Sequence, residues 1–293
     1  MKRWFVRVGL GLGGLFGVLL LVGYLASESQ LHKRYVIAVH APLVPTDPTE
    51  RARGEHLVKA VYDCAGCDGA DQGGMPVIND GAVGRIMGCN LTGGRGGIAA
   101  GYRDEDWARA IRHGVGHDGH ALLMMSADAY EAISDRDLGA AIAYLRSLPA
   151  VDREKPHSRP GPIGRILFLL GLLPIPAAKI DHVRVEQLAT PTEAPTAEYG
   201  QYPAKTSGCP SCHGDNLAGK SMGSAGRSSN ITPAGIGSWS EQAFATALRR
   251  GIAPGGRKLG PMMPAERAFS RLTELEIKAL WLWSRSLPAV TSK

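Results

Sequence analysis

The stretch Cys209-Pro210-Ser211-Cys212-His213 places two thiols three residues apart and follows them directly with an imidazole. Thiols at this spacing can attach to two neighbouring points of one ligand, and the adjacent ring is then aimed at the ligand from one face. Further along, the chain carries Asn230-Ile231-Thr232, a pair of methionines at Met262 and Met263, and the closing segment Ser286-Leu287-Pro288-Ala289-Val290. The abundant glycine of the chain and its 6% aromatic content favour small helical units around a buried group.

The same signals occur once before, in the same order and at similar spacing. The earlier copies are Cys64 with Cys67, Asn90-Leu91-Thr92, Met124 with Met125, and Ser147-Leu148-Pro149-Ala150-Val151. Self-similarity of this kind indicates two copies of one structural unit.

Helix start signals recur at matching places in both units. Acidic or hydroxyl residues that can cap a helix precede amphipathic segments at Asp104, Ser134, Ser240 and Thr273. Each unit is therefore predicted to contain three or four helices joined by glycine-rich loops, and the fold is predicted to be all-α.

The five-residue motif is the signature of covalent haem c attachment. Two thioethers would hold the haem, and His213 would bind its iron; a disulfide or a zinc pair is the competing interpretation. The opposite iron ligand is predicted to be Met263, with Met262 as the alternative in a shifted register. A thioether favours ferrous iron, so this pair of ligands suits a fast electron carrier.

Residues 51–293 resemble tandem class I cytochrome c domains, on the strength of Cys-Pro-Ser-Cys-His-Gly-Asp-Asn-Leu-Ala-Gly at 209–219, Asn-Ile-Thr-Pro at 230–233, Gly-Pro-Met-Met-Pro at 260–264 and the Arg-Ser-Leu-Pro ending at 285–288. The tandem arrangement is similar to the membrane-anchored dihaem cytochromes c of bacterial periplasmic dehydrogenases.

The resemblance implies that one haem c is held by four residues, with four others packed near it. The holding residues would be Cys209, Cys212, His213 and Met263, and the nearby residues Leu280, Trp281, Pro233 and Trp239. It further implies an electron carrier rather than an enzyme, with a dehydrogenase as partner and the respiratory chain as acceptor.

The first unit departs from this pattern because its motif reads Cys64-Ala65-Gly66-Cys67-Asp68, with aspartate at the iron-binding position. Met125 still occupies the place of the distal ligand. Three outcomes stay open: a unit without haem, whose cysteines are a disulfide or free thiols; a haem bound through other ligands; and a thiol–metal site that includes Cys89.

The candidate replacement ligands are His113, His117 and His120, although the glycines among them favour a solvated loop. One haem per chain is expected, and two are possible.

Residues Val8 to Leu25 form an uncharged run of 18 residues that follows Lys2, Arg3 and Arg7. This length suffices to cross a bilayer, and the basic flank predicts a cytoplasmic N-terminus. Residues 1–30 are therefore predicted to anchor the chain in the bacterial inner membrane with the remainder in the periplasm. A cleaved signal peptide is the alternative.

The predicted organisation is an anchor at 1–30, a cytochrome-like domain at 51–152, a proline-rich linker at 153–198 and a second domain at 199–293. The linker contains an apolar stretch at 166–174 that is too short to span a membrane. It is expected to pack across the two units, with the bilayer surface as the alternative location.

The net charge of +6 does not indicate a nucleic-acid partner. Five basic residues and one acidic residue within the first 40 positions account for +4 of it, which leaves +2 for the rest of the chain. No basic stripe interleaved with aromatic residues is present. Electron transfer is thus the leading function, ahead of a haem peroxidase, which needs an open iron position, and of a redox sensor.

Overall fold

The structure is a computed structural model that describes residues 2–154, 156–183, 189–223 and 226–292. It is mostly helical, as the sequence predicts. The helices are α1 Lys2–Leu31, α2 Pro48–His56, α3 Ala65–Asp68, α4 Asp104–His113, α5 Ala127–Tyr130, α6 Asp135–Arg146, α7 Pro162–Leu169, α8 Ala197–Thr206, α9 Cys209–His213, α10 Pro233–Ile236, α11 Glu241–Arg250 and α12 Glu274–Ser286. A π-helical turn, Leu57–Val61, continues α2, and short 3-10 turns lie at Pro176–Ala178, Pro254–Gly256 and Phe269–Arg271.

The all-α prediction was wrong in one respect, because three short strands form an antiparallel sheet. These are β1 Pro76–Asp80, β2 Gly84–Met87 and β3 Arg159–Pro160, in the order β1-β2-β3. Asp80 closes the turn between the first two strands, since its carboxylate accepts hydrogen bonds from the backbone of Ala82 and Val83, both at 2.8 Å. Strands this short carry too little alternation to be predicted from sequence, and β3 pairs with β2 from within the predicted linker.

The predicted caps are present at the starts of α6, α11 and α12, whereas the predicted cap at Asp104 is wrong, because Asp104 is the first residue of α4. Ser134, Ser240 and Thr273 each accept a hydrogen bond from the backbone three residues on, and Glu276 completes a capping box with Thr273. At α4 the cap comes from Asp106, whose carboxylate accepts a hydrogen bond from the backbone of Arg103 at 3.1 Å.

Two helix pairs form the centre of the molecule, α2 with α6 and α8 with α12. Each pair crosses at a glycine, Gly54 in α2 and Gly200 in α8. A Cβ atom at Gly54 would overlap the backbone carbonyl of Ala140, and one at Gly200 would overlap that of Ala279. Both crossings therefore bring helix backbones into direct contact, and the buried apolar residues of the two halves form one continuous core.

The repeated sequence motifs bind each other within each half. The Asn90 side chain donates to the carbonyl of Val151 at 2.8 Å, and the Asn230 side chain donates to that of Val290 at 2.7 Å. Thr92 and Thr232 bond to these asparagines at 2.8 and 2.7 Å. In each half, the Asn-x-Thr motif bonds to the Leu-Pro-Ala-Val segment that follows α6 or α12. This contact explains why the two motifs recur together.

The apolar stretch of the linker does not pack across the two halves, contrary to expectation. Phe168 of α7 is 1% exposed and packs with Leu31 of α1, Ile86 of β2 and Ile175 in a separate apolar cluster. Strands β1 and β2 form a hairpin that the sequence did not predict, and this hairpin supplies the surface that α7 covers. Residues 155 and 184–188 of the predicted linker lie outside the described part of the chain.

Helix α1 is long and apolar enough to cross a membrane, by length and composition, from Arg3 to Leu31. None of its apolar window is buried against the rest of the protein. Its last turn contacts α7, where Leu31 packs with Phe168.

Candidate functional site

The cysteine motif forms a short helix, α9, directly after α8. Gly208 before it and Gly214 after it have φ angles of 76° and 84°, a region that glycine enters without strain. Cys209 and Cys212 are both half-buried free thiols. Burial raises the pKa of the Cys209 thiol to about 11 and also raises that of Cys212, so both are protonated at neutral pH.

His213 is oriented by a hydrogen bond on one of its two ring nitrogens. Its Nδ1 lies 2.7 Å from the carbonyl oxygen of Ser229, and because a carbonyl only accepts, Nδ1 carries the proton. Burial lowers the pKa of His213, which keeps the ring neutral. The other nitrogen, Nε2, is therefore left with a lone pair, the form in which an imidazole binds a metal.

Met263 reaches the site from the loop after α11. Gly251 ends that helix in the left-handed conformation, and the loop returns to it through a hydrogen bond from Leu259 to Gly251 at 2.7 Å. Met263 is half-buried, whereas the neighbouring Met262 is 56% exposed. Of the two methionines, only Met263 faces the interior.

Cys209, His213 and Met263 line one cavity, which has about 790 Å³ of space including its mouth. Cofactor sites are usually concave and lined mostly by apolar side chains with a few polar groups, and this cavity has that character. The walls are almost entirely apolar, and their main side chains are those of Ile231, Ile236, Trp239, Phe244, Leu248, Leu259, Phe269, Leu272, Leu280 and Trp283. A cavity with one thiol, one neutral imidazole and one thioether on its walls, and with the second thiol of the motif three residues from the first, fits a haem c.

Two of the four neighbours implied by the resemblance, Trp239 and Leu280, line this cavity. Trp281 lies behind the wall, with its ring 5.3 Å from that of Phe244, and Trp283 lines the cavity instead. Pro233 begins α10, whose Ile236 reaches the wall.

The first half of the chain also contributes to the wall, through Val61 in the π-helical turn. Sequence reasoning did not identify this residue. Val61 is an ordinary apolar residue in a helix. It lies more than 140 positions before the cysteine motif, so nothing in the sequence indicates the contact.

In the first half, Asp68 occupies the place of His213 but makes a different bond. Helix α3 ends at Gly69 (φ 82°) as α9 ends at Gly214, so the two motifs have the same backbone shape. The Asp68 carboxylate accepts a hydrogen bond from the backbone N–H of Cys89 at 2.6 Å. Cys89 is the counterpart of Ser229, and thus each side chain fastens the equivalent loop. Asp68 does so as an acceptor, whereas His213 does so as a donor.

Cys64 and Met125 pack against the apolar core of the first half, beside buried tyrosine and tryptophan side chains. Burial raises the pKa of Cys64 well above its ordinary value and that of Cys67 to about 11. The Trp107 indole N–H is buried without a hydrogen-bond acceptor among the described residues. Within the described ranges, no group of three or more His, Cys, Asp or Glu side chains is placed to hold a metal ion.

The histidines of the first half are engaged elsewhere. His113 is buried at the end of α4, not in a solvated loop, and its Nδ1 lies 3.0 Å from Nδ1 of His182. Burial, with the charge of His182 and two arginines, lowers the pKa of His113 to about 4. His117 is exposed and its ring lies 5.5 Å from that of Tyr102, while His120 lies 3.1 Å from Asp118.

Each cysteine motif, or the residue just before it, contacts the loop near the methionine of the other half. Asp63, just before the first motif, pairs with Arg267, four residues after Met263, through Nε at 2.8 Å. Reciprocally, Ser211 inside the second motif donates to Asp128, three residues after Met125, at 3.0 Å. Each half therefore supports the loop that carries the other half's methionine or cysteines.

No protein-family model matches the chain. The chain is 32% identical over 276 residues to the fructose dehydrogenase cytochrome subunit of Gluconobacter japonicus, and the match covers 84% of this chain and 55% of that protein. It is 27% identical over 271 residues to the gluconate 2-dehydrogenase cytochrome c subunit of Pantoea cypripedii, with coverages of 81% and 59%. The chain thus spans less than two thirds of the length of either relative. Over most of its own length, it is homologous to the cytochrome c subunits of dehydrogenases.

Proposed function

We propose that the chain transfers electrons through one covalently bound haem c. Cys209 and Cys212 would form the thioethers, and His213 and Met263 would be the axial ligands. The observation that carries this proposal is the cavity whose walls bring Cys209, His213 and Met263 together. When bound, haem c supplies reversible one-electron chemistry at its iron.

The chain's own residues would set the properties of that site. The apolar walls exclude water from the cavity, which favours the less charged, reduced state. The bond from His213 to the Ser229 carbonyl fixes the tautomer and the orientation of the imidazole, and burial keeps the ring neutral. Met263 supplies a soft thioether, which favours ferrous iron.

The two halves would be tandem cytochrome c domains, at 51–152 and 199–293, with the linker 153–198 between them. The matched loop bonds, cap residues and glycine crossings of the halves support this division. The first domain would be a haem-free module, since Asp68 is a poor iron ligand and bonds its own loop. Its Val61 and Asp63 would instead support the haem site of the second domain.

The partner would be a dehydrogenase, since both relatives are named as cytochrome subunits of such enzymes. The chain would accept electrons from that enzyme and would not itself turn over the substrate. Helix α1 would anchor it in the inner membrane with both domains in the periplasm, where haem c is attached.

Haem stoichiometry and the Met263→Ala variant test the proposal. A pyridine haemochrome assay with protein quantitation should give one haem per chain. Met263→Ala should keep the covalent haem, lose the weak red absorbance of Met–ferric coordination and have a lower reduction potential. Met262→Ala is the matched control and should change neither the spectrum nor the potential. A chain without haem, or an unchanged Met263→Ala spectrum together with a changed Met262→Ala spectrum, would contradict the assignment.

A further inference from the structure

Helix α7 has an apolar face that is exposed among the described residues of the chain. Ile163, Ile166 and Leu170 share one side of the helix and are 48%, 53% and 65% exposed. The opposite side is buried at Gly164 and Phe168. Leu169 and Leu172 extend the apolar face and are 39% and 67% exposed. Such a concentration of exposed apolar side chains marks an interaction surface.

The position of this face relative to α1 is fixed by polar contacts. Arg165 of α7 donates to Glu28 at 2.7 Å and to Ser27 at 3.2 Å, and its guanidinium lies 4.7 Å from the ring centre of Tyr24. Tyr24 lies at the end of the uncharged run. At about 1.5 Å per residue, the run covers about 27 Å, close to the ~30 Å core of a bilayer. Helix α7 therefore lies at the level where α1 leaves the membrane.

The charge of this region also suits a lipid surface. From 156 to 180 the sequence contains no Asp or Glu, while Arg159, Arg165 and Lys179 are basic. Arg165 is neutralised by Glu28, so it does not oppose burial of the adjacent apolar face. Anionic headgroups attract the two others.

We propose that α7 and the turn after it, residues 163–172, insert into the periplasmic leaflet beside α1 as a second membrane contact. This inference rests on the proposed anchoring by α1. Continuity with α1 favours the bilayer over a protein partner, because the face begins where the spanning helix ends. Two contacts hold the cytochrome domains at a fixed tilt, whereas one helix would let them rotate. The haem would thus be presented to its partner in one orientation.

Photolabelling of the full chain tests the proposal. The haem-loaded protein is placed in nanodiscs of phosphatidylethanolamine and phosphatidylglycerol that contain a lipid with a diazirine in its acyl chain, without any dehydrogenase. After irradiation, mass spectrometry should find lipid adducts in α1 and in residues 163–172. Adducts in α1 with none at 163–172 would overturn the proposal.

A double substitution and a matched control sharpen the result. I166E/L170E should reduce the adducts at 163–172 to background and leave those in α1 in place. L43E/M75E, which changes two exposed apolar residues in the first half, should leave both sets unchanged. If L43E/M75E also removed the 163–172 adducts, the effect would come from added charge and not from this face, and the proposal would fail. The haem count and spectrum report the proposed function separately, and loss of α1 adducts would refute the anchor itself.

Discussion

Asp68 and His213 occupy matching positions, and each fastens the loop behind it with a hydrogen bond of opposite sense. The histidine donates to Ser229, which leaves a ring nitrogen directed at the cavity. The aspartate accepts from Cys89 and is the shorter side chain. One residue therefore separates a motif that can bind iron from one that keeps only its shape.

Asp68→His should restore the complete motif in the first half. If that half still has room for a haem, co-expression with the maturation machinery should raise the count from about one towards two per chain. The buried Trp107 N–H supports this, because it has no hydrogen-bond acceptor among the described residues and so marks an interior that is not fully complementary to its own side chains. Asp68→Asn is the matched control and should leave the count unchanged.

Pyridine haemochrome quantitation measures both variants. A wild-type count of two would contradict the haem-free interpretation directly. An Asp68→His count that stays at one would show that core side chains have filled the space, so that one ligand cannot reopen it.

At the scale of elements, the two glycine crossings determine how closely the helix pairs pack. Gly200 of α8 meets the backbone of Ala279 in α12, and the same arrangement recurs at Gly54 and Ala140. Helix α12 also carries Leu280 and Trp283, which line the cavity. Separation of α8 from α12 would therefore reach the haem site.

Gly200→Ala should destabilise the second half by roughly 1–3 kcal/mol, since the added methyl group forces two helix backbones apart. The loss outweighs the gain in helix propensity, which is at most about 1 kcal/mol. Gly81→Ala is the control, because a Cβ there meets nothing within 4 Å. Denaturant unfolding of the detergent-solubilised chain, followed through the Met–haem absorbance band, measures the change. An unfolding midpoint equal to that of Gly81→Ala would show that the crossing can relax.

At the scale of the whole molecule, a partly buried ion pair joins α2 to α12. His56 Nε2 lies 2.8 and 3.0 Å from the two carboxylate oxygens of Glu276. The hydrogen bond to Glu276 raises the pKa of His56 above its ordinary 6.5. Burial alone would raise the pKa of Glu276, but the bonds from His56 and Thr273 bring it below its ordinary 4.5.

These directions set the pH range in which the pair stabilises the protein. The contribution of His56 is fully present below pH 6.5 and is lost as the pH rises through its raised pKa. That of Glu276 is present above pH 4.5 and is lost as the pH falls through its lowered pKa. The pair therefore contributes most between about pH 4.5 and 6.5.

His56→Gln keeps a hydrogen-bond donor near Glu276 but cannot acquire a charge. We expect it to lower the free energy of unfolding by about 1–2 kcal/mol near pH 5.5 and by much less at pH 8.5. Unfolding midpoints of the wild type and the variant at the two pH values measure the difference. His157→Gln, which changes an exposed histidine, should show no such pH dependence. An equal effect of His56→Gln at both pH values would show that the ion pair does not stabilise the contact.

Membrane topology is a second property of the whole molecule. With α1 as an anchor and its basic flank inside, a phosphatase reporter fused after Lys293 should be active, because that enzyme needs the periplasm. The same reporter inserted after Lys2, with the rest of the chain kept behind it, should be inactive, and this fusion is the matched control. If the Lys2 fusion were active and the Lys293 fusion inactive, the orientation would be the opposite of the one proposed.

The sequence by itself determined the features that depend on neighbouring residues. The cysteine motif, the helix caps at Ser134, Ser240 and Thr273, and the apolar run of α1 are local patterns, so their physical chemistry can be read along the chain. The repeat also predicted which segments of the two halves correspond. The hydrogen bonds from Asn90 to Val151 and from Asn230 to Val290 are seen only in the tertiary structure.

Only the tertiary structure decided the features that depend on distant contacts. Val61 forms part of the cavity wall, Asp68 bonds the loop at Cys89, and α7 packs on a hairpin instead of between the halves. Val61 and the apolar residues of α7 carry no distinctive residue type or spacing, and the aspartate at position 68 does not indicate by itself which backbone N–H it accepts from. The apolar contacts join residues far apart in the chain, where burial is non-directional and many partners would satisfy it equally well. The choice among those partners is made by the packing of the whole molecule.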